Sequence, residues 1–438
     1  MELTRSELMP GVFLTHLRSD KFKTASMSLS LLTQLKRETA AMNALIPSVL
    51  RRGTNRYTDM EQISRRLDEL YGASIEPVVR KVGEIQCLGF FASFPEPAFL
   101  PGKEDLLGEV SALMSEMLLA PNTRGGLLLP QYVDSEREKL VDLIRSRVNE
   151  KRSYAAQRCI EEMCCCEDYA VSRLGSEEEA ESIHYKKLTR HYRELIRTSP
   201  MELFYCGRAD ARQVERAWRE ALSGMPRGEI DYDIGTDLRM NALEDAPRYC
   251  EERMDVTQGK LVLGFRLGDC MEDPDVPAIR VFNAVYGNGA TSKLFLNVRE
   301  KLSLCYYASS AIVLRKGLML VSSGVAFENF QAAKDEILAQ LEAVRKCEIS
   351  DDELNWAKRS VASDLRAMTD SPFLLESFWL SQALDGLDYG PTELAALVEE
   401  VTKDRVAAVA KSVVCDLVYF LRGEDDEEEE EKHDDAEN

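Results

Sequence analysis

The order of structural patterns in the first half of this 438-residue chain recurs in the second. In the first half, a helical stretch ending "LDELYGAS" runs into "IEPVVRKVGEIQCLGFFASF". This is a turn-separated pair of strand-like runs rich in β-branched and aromatic residues. In the second, "REKLSLCYYAS" runs into "SAIVLRKGLMLVSSGVAF", built the same way. Paired helical stretches follow, "VDSEREKLVDLIRSRVNEKRSYAAQRCIEEM" in one half and "SDDELNWAKRSVASDLRAMTDSPFLLESFW" in the other. Each half then closes with a helix leading to a strand, "LTRHYRELIRTSPMELFYCG" and "VTKDRVAAVAKSVVCDLVYFLRG". Repetition at this length predicts a duplicated α+β unit rather than a short-period array. The expected fold is two halves, each a mostly antiparallel sheet covered by helices on one face. The N-terminal half takes residues 1–221 and the C-terminal half 251–422. The join falls in 222–250, where Pro, Gly and acids occur without a sustained apolar period, and an acidic tail occupies 423–438.

The net charge is −21, of which the last fifteen residues, "EDDEEEEEKHDDAEN", carry −10 and the rest of the chain −11. Such a dense run of like charge buries nothing, and the tail is expected to be a disordered, solubilising end. An acidic body argues against nucleic acid as a partner and is compatible with basic peptides. No 18-residue apolar run is present, so no membrane span is expected. The start, "MELTRSELMPGVFLTHLRSDKFKTAS", lacks the apolar segment and cleavage site of a signal peptide, so a cytoplasmic location is expected. Eleven cysteines in that setting predict reduced thiols. Three of them are consecutive, Cys164, Cys165 and Cys166. Helical neighbours point about 100° apart and cannot converge on one tetrahedral metal, so these are expected to be small core side chains.

The stretch "NALIPSVLRRGTNRYTDMEQISRRLDELYGASI", residues 43–75, reads as a short helix, a break at Gly53 and Thr54, and a longer amphipathic helix carrying Ile63, Leu67 and Leu70. Pro47 is out of place in it, because a proline inside a helix loses a hydrogen bond and costs about 3 kcal/mol. The helix is therefore expected to begin or kink near Pro47.

The whole layout, up to about Arg422, resembles the insulinase-like (pitrilysin, M16) metallopeptidases in their shorter bacterial form, of the LuxS-like metallohydrolase type of fold. Active members of that family carry an inverted zinc motif, HxxEH, followed by Gly-Thr and an "xLxxLGA" helix. Two histidines at i and i+4 share a helix face and ligate zinc, and the glutamate before the second is the general base. Aligned on "RRGT", those three positions fall on Ala44, Pro47 and Ser48. None can bind zinc or take a proton from water in these roles. The family's third ligand, in a segment like "DSEHEK", corresponds to Glu136 in "DSEREK", which is expected to be a helix-start acid stabilised by the dipole. The histidines His16, His184, His191 and His433 are spread too widely to make a replacement site, so no metal or other cofactor is expected in this chain.

The C-terminal half keeps what the N-terminal half lacks. Against the family's "GGGxSSRLFxxLREKxGLAY" stands "YGNGATSKLFLNVREKLSLCYY". The family's substrate-holding Arg and Tyr map onto Arg299 and Tyr306, a forked donor and a hydroxyl suited to a developing oxyanion. Gly287 and Gly289 are read as a turn that lets the helix at 292–298 pack closely. The resemblance implies a non-catalytic subunit of a heterodimeric peptidase. Zinc would sit in an active partner bearing HxxEH, and Arg299 and Tyr306 would contact the partner's peptide substrate in trans. The alternatives are a homodimeric peptide-binding scaffold without a peptidase partner, and an autonomous hydrolase with another nucleophile.

Overall fold

The computed structural model describes residues 2–102, 104–271 and 275–424. The acidic tail lies, from residue 425 onward, outside the described residues. Two compact units are formed. One takes the chain up to Arg145, Val171–Thr236 and Ser371–Asp388. The other takes Ser146–Ala170, Asp237–Asp370 and the chain from Tyr389 on. A single cut at 222–250 would therefore misplace two segments, 146–170 and 371–388, each of which belongs to the unit opposite in chain order.

Numbering runs along the whole chain. The first unit contains β1 (Glu2–Met9), β2 (Val12–Arg18), β3 (Thr24–Gln34), α1 (Arg37–Leu50), α2 (Met60–Glu69), β4 (Ser74–Val82), β5 (Ile85–Pro95) and α3 (Leu106–Leu119). A two-strand ribbon, β6 (Thr123–Arg124) and β7 (Leu127–Leu128), precedes α4 (Pro130–Ser146). After the exchanged segment come α6 (Glu177–Glu181), α7 (Tyr185–Thr198), β8 (Met201–Gly207) and α8 (Ala211–Ala221), and α12 (Pro372–Asp385) joins them from the far end of the chain. The second unit contains α5 (Lys151–Met163), β9 (Arg248–Met254), β10 (Gly259–Arg266), α9 (Val276–Tyr286), β11 (Cys305–Val313), β12 (Leu318–Val325), α10 (Phe330–Arg345), α11 (Asp351–Met368), α13 (Pro391–Glu399), α14 (Lys403–Ser412) and β13 (Val414–Gly423).

The duplication is explicit in the sheets. In the first unit the strand order is β1-β2-β8-β3-β5-β4, and in the second it is β11-β12-β10-β13-β9. Read from β2 and from β9, the two orders match strand for strand, with β1 as an addition. Each sheet is antiparallel except where its closing strand meets its opening one, β8 on β2 and β13 on β9. The chain is thus α+β with two like halves, as the repeated patterns predict.

Helices cover both faces of these sheets, not one. On β3, Ala25, Met27, Leu29 and Leu31 pack with Leu45 and Val49 of α1, while Ser26, Ser28 and Ser30 on the opposite face are also buried. That serine face is covered by α12. Ser28 Oγ donates to Glu376 Oε1 at 2.8 Å, and the Arg80 guanidinium pairs with the other carboxylate oxygen of Glu376. Leu380 packs with Leu32 and Cys87. In the second unit Ala155, Cys159 and Met163 of α5 pack on Val262, Leu320, Leu417 and Tyr419. A Cβ at Gly264 would lie 2.7 Å from Met163 Sδ, so glycine there sets the close approach of helix to strand. On the other face the Phe330 ring of α10 lies tilted against Phe420, with centroids 4.5 Å apart. An alternating strand looks half-exposed in sequence; here a helix from the other half of the chain covers the second side.

The turn after α5 delivers Glu167 into the interior of the second unit. Its carboxylate accepts from Arg266 Nη2 at 2.6 Å and from Lys316 Nζ at 2.7 Å, and all three side chains are essentially without exposure. Arg266 Nε also donates to Asp416 at 2.9 Å, and Arg248 reaches the same carboxylate at 3.0 Å. This cluster ties the exchanged segment to β9, β10, β13 and the start of β12.

Candidate functional site

Helix α1 runs from Arg37 to Leu50 and carries Pro47 within its last turn, so of the two expected outcomes, a helix that begins near the proline or one that kinks there, the first is overturned. Ten of its residues, Pro47 among them, are buried. Burial of that much surface outweighs the single hydrogen bond lost to proline. At 14 residues α1 is also longer than α2, with 10, the reverse of the order expected from sequence. Ala44 is 6 % exposed, and Ser48 is half-buried.

Glu136 lies in the second turn of α4, not the first, because that helix already begins at Pro130, where a proline costs no backbone bond. Its carboxylate does not owe its place to the helix dipole. Oε1 accepts from Arg52 Nη1 at 3.3 Å and from Lys139 Nζ at 2.7 Å. Arg52, one turn beyond Ser48, also lies over the Tyr132 ring at 5.2 Å. A fixed cation therefore faces Glu136, and the positions that would complete a zinc site hold a methyl, a pyrrolidine ring and a hydroxyl. These residues do not suit a zinc ion. Among the described residues no group of three His, Cys, Asp or Glu side chains is placed to hold a metal.

Behind this helix face runs a polar chain that sequence reasoning did not find. His191 Nε2 donates to Asn43 Oδ1 at 2.6 Å, Asn43 Nδ2 donates to Gln86 Oε1 at 2.8 Å, and Gln86 Nε2 donates to the Arg173 carbonyl at 2.7 Å. Burial, with Lys187 adding to it, pushes the His191 imidazole down to about 4. His191 is thereby neutral at pH 7 and works as a donor between α7 and α1. The one sequence signal was the set of long polar residues at otherwise apolar positions.

In the second unit, Arg299 lies in Leu294–Lys301, which winds as a π-helix. Its wider turn closes with Leu302 N–H donating to the Asn297 carbonyl five residues back at 3.1 Å. The expected helix at 292–298 is therefore shifted and differently wound. The segment is held from below: Leu294 and Val298 are fully buried, Lys293 pairs with Glu353 at 2.8 Å, and Asn297 donates to Gln340 at 2.7 Å. Gly287 does what the turn reading requires, since a Cβ there would sit 2.7 Å from Leu294 Cδ1 and 2.5 Å from Ser310 Oγ. Gly289 has φ +112, a conformation closed to most side chains. On the outer side the Arg299 guanidinium lies over the Phe295 ring at 4.6 Å with 41 % of the side chain exposed.

Tyr306 is placed by a bulge. Cys305 faces Val325 and Tyr307 faces Gly324, so two steps on β11 oppose one on β12 and Tyr306 is the extra residue. It is 67 % exposed, whereas Tyr307 is tucked under Arg152 at 4.2 Å. A tyrosine that served only to pack would not be the more exposed of the pair. Local winding and a bulge thus present a guanidinium and a phenol to solvent close together in sequence, on a buried footing, a combination suited to gripping a peptide backbone.

The comparisons agree with this picture. A family model described as "Peptidase M16 inactive domain" matches residues 182–361. The probable inactive metalloprotease YmfF of Bacillus subtilis is 31% identical over 407 residues, which is 93% of this chain and 94% of that protein. Among solved structures, a conserved protein from Enterococcus faecalis V583 superposes with a TM-score of 0.86 at 25% identity, covering 96% of this chain and 99% of that one. A peptidase M16 inactive domain from Pseudomonas fluorescens shares the fold, with a TM-score of 0.78 at 12% identity over 97% of this chain and 98% of that one. Kinship over nearly the full length, together with the fold, places this chain in the M16 peptidase family, as an inactive peptidase-like member.

Proposed function

We propose that the protein is the non-catalytic subunit of a two-subunit M16-type peptidase, in which an active partner bearing HxxEH holds the zinc. Its own contribution is chamber wall and substrate contact, made by Arg299 and Tyr306. The observation that carries this reading is the contrast between the two motifs. At the zinc positions stand Ala44, Pro47 and Ser48, with Glu136 engaged by Arg52 and Lys139, whereas Arg299 and Tyr306 are held outward by a π-helix and a bulge. Dismantled metal chemistry beside a maintained backbone grip fits a subunit that works on a substrate cut elsewhere. The name of the Bacillus subtilis relative, a probable inactive metalloprotease, supports the non-catalytic part. In the complex Arg299 would orient the peptide and Tyr306 would donate to the oxygen that becomes negative when the partner's site attacks the carbonyl. We assign the protein to the cytoplasm, a reading that a chain of eleven cysteines, two of them exposed side by side at Cys165 and Cys166, fits as a set of reduced thiols. No helix among the described residues is long and apolar enough to cross a membrane.

The experiment is reconstitution. The purified chain, mixed with an active M16 subunit from the same genome, should form a stoichiometric complex that cleaves unstructured peptides, while the chain alone cleaves none. Failure to associate with any such subunit, or chelator-sensitive cleavage by the pure chain, would overturn the proposal.

A further inference from the structure

Cys164, Cys165 and Cys166 were expected to share a place in the core, and only the first does. The chain leaves α5 at Cys164, which is buried, and turns so that Cys165 and Cys166 are both exposed. They are the only cysteines of the eleven in that class. Their sulfurs are 3.8 Å apart, although neighbouring side chains in a regular helix or strand diverge. The guanidinium of Arg248 lies 4.0 Å from Cys165 Sγ. That guanidinium is fixed by the Glu162 and Met163 carbonyls and by Asp416, so the positive charge beside this sulfur is built in.

We propose that Cys165 and Cys166 form a vicinal dithiol that is oxidised reversibly by low-molecular-weight disulfides. Cys165, beside Arg248, attacks as thiolate on one sulfur of the disulfide, forming a Cys165 mixed disulfide and releasing the first small thiolate. Cys166, as thiolate, then attacks Cys165 Sγ, forming the Cys165–Cys166 bond and releasing the second. The two protons lost by the cysteines end on the two small thiols, so the pair is oxidised by two electrons and the small disulfide reduced by two. Closing the bond needs the sulfurs to approach from 3.8 Å to about 2.05 Å. Adjacent Cα atoms are about 3.8 Å apart, below the usual 4.4–6.8 Å of disulfides, so the ring is strained and readily reduced again. The pair also lies immediately before Glu167, whose carboxylate is clamped by Arg266 and Lys316. Contraction of the turn pulls on that anchor, and oxidation lowers the thermal stability of the second unit.

The test uses the reduced full-length chain and glutathione disulfide, followed by intact mass, peptide mapping and thermal melting. Wild type should lose two hydrogens at peptides containing 165 and 166, melt at a lower temperature, and recover both with dithiothreitol. Cys166→Ser, at an exposed position that leaves the fold intact, should stop at a glutathione adduct on Cys165, and Cys165→Ser, which lacks the attacking thiol, should take up glutathione at Cys166 more slowly and close no disulfide there. A chain that stays reduced, a wild-type adduct that persists without resolving, or a disulfide mapped to other cysteines would overturn the proposal. An unchanged melt in fully oxidised wild type would overturn the link to Glu167.

Discussion

Replacing Glu167 by Gln removes one negative charge from an enclosed set of three cations, Arg248, Arg266 and Lys316, and two carboxylates, Glu167 and Asp416. Arg266 and Lys316 have no exposed side-chain surface, so neither can turn to water when its partner loses its charge. Breaking a buried pair from one side costs about 3–5 kcal/mol. For a unit of this size that lowers the melting temperature by roughly 6–20 °C. Glu167→Gln/Lys316→Met, which removes one charge of each sign, should recover a large part of the loss. The pH dependence follows from the same geometry. Burial alone would push the Glu167 carboxyl up, but the hydrogen bonds from Arg266 and Lys316 outweigh it and hold the group below its ordinary 4.5. A folded value below the unfolded one contributes stability above pH 4.5, and that contribution disappears as pH falls through 4.5 toward the folded value. Calorimetry at pH 7 and at pH 4 should therefore show a large gap between wild type and Glu167→Gln that narrows in acid. A gap under about 1 kcal/mol at pH 7 would mean that water reaches the cluster and that its charges are not enclosed.

Three further outcomes are expected. His191 is held down to about 4 against an ordinary 6.5, so the unfolded chain binds the extra proton between those values. Stability of the first unit should accordingly fall by up to about 3 kcal/mol as pH drops through that window, and urea titrations of His191→Gln should lack this phase. Glu376→Ala strips the Arg80 guanidinium and Ser28 hydroxyl of their buried acceptor on α12 and should cost about 3 kcal/mol or more; proteolysis at 371–388 at wild-type rates would contradict it. Arg52→Ala leaves Glu136 with Lys139 only and should cost about 1–2 kcal/mol, equally with and without chelator, since a cation of the chain and not a metal faces that carboxylate.

The duplication was legible in sequence because turn-separated apolar runs and helical periods leave local marks, and the matching strand orders follow from them. What was not legible was exchange. Nothing in "VNEKRSYAAQRCIEEM" says that Ala155, Cys159 and Met163 will lie on β10 and β13 of the other half, because helix periodicity specifies an apolar face and not its partner. The buried serines of β3 are the nearest thing to a signal for α12. Pro47 pointed to a helix start or kink because its cost is local, whereas the burial of ten α1 residues that lets the helix run on to Leu50 is not. Arg299 and Tyr306 could be picked out by family pattern, but the π-winding and the bulge that turn them outward depend on hydrogen-bond registers that composition does not encode.

In the proposed function Arg299 and Tyr306 act on a peptide cut by another subunit. The most direct test is the turnover of the reconstituted complex carrying Arg299→Ala or Tyr306→Phe in this chain and a wild-type active partner. Both sites are exposed, so complex formation and the partner's zinc content should stay at wild-type levels. Loss of an oxyanion donor typically lowers rate by about 10²–10³, and kcat should fall by that order. Wild-type kcat in both variants, with loss only when the partner's own residues are changed, would mean that Arg299 and Tyr306 do not touch the substrate.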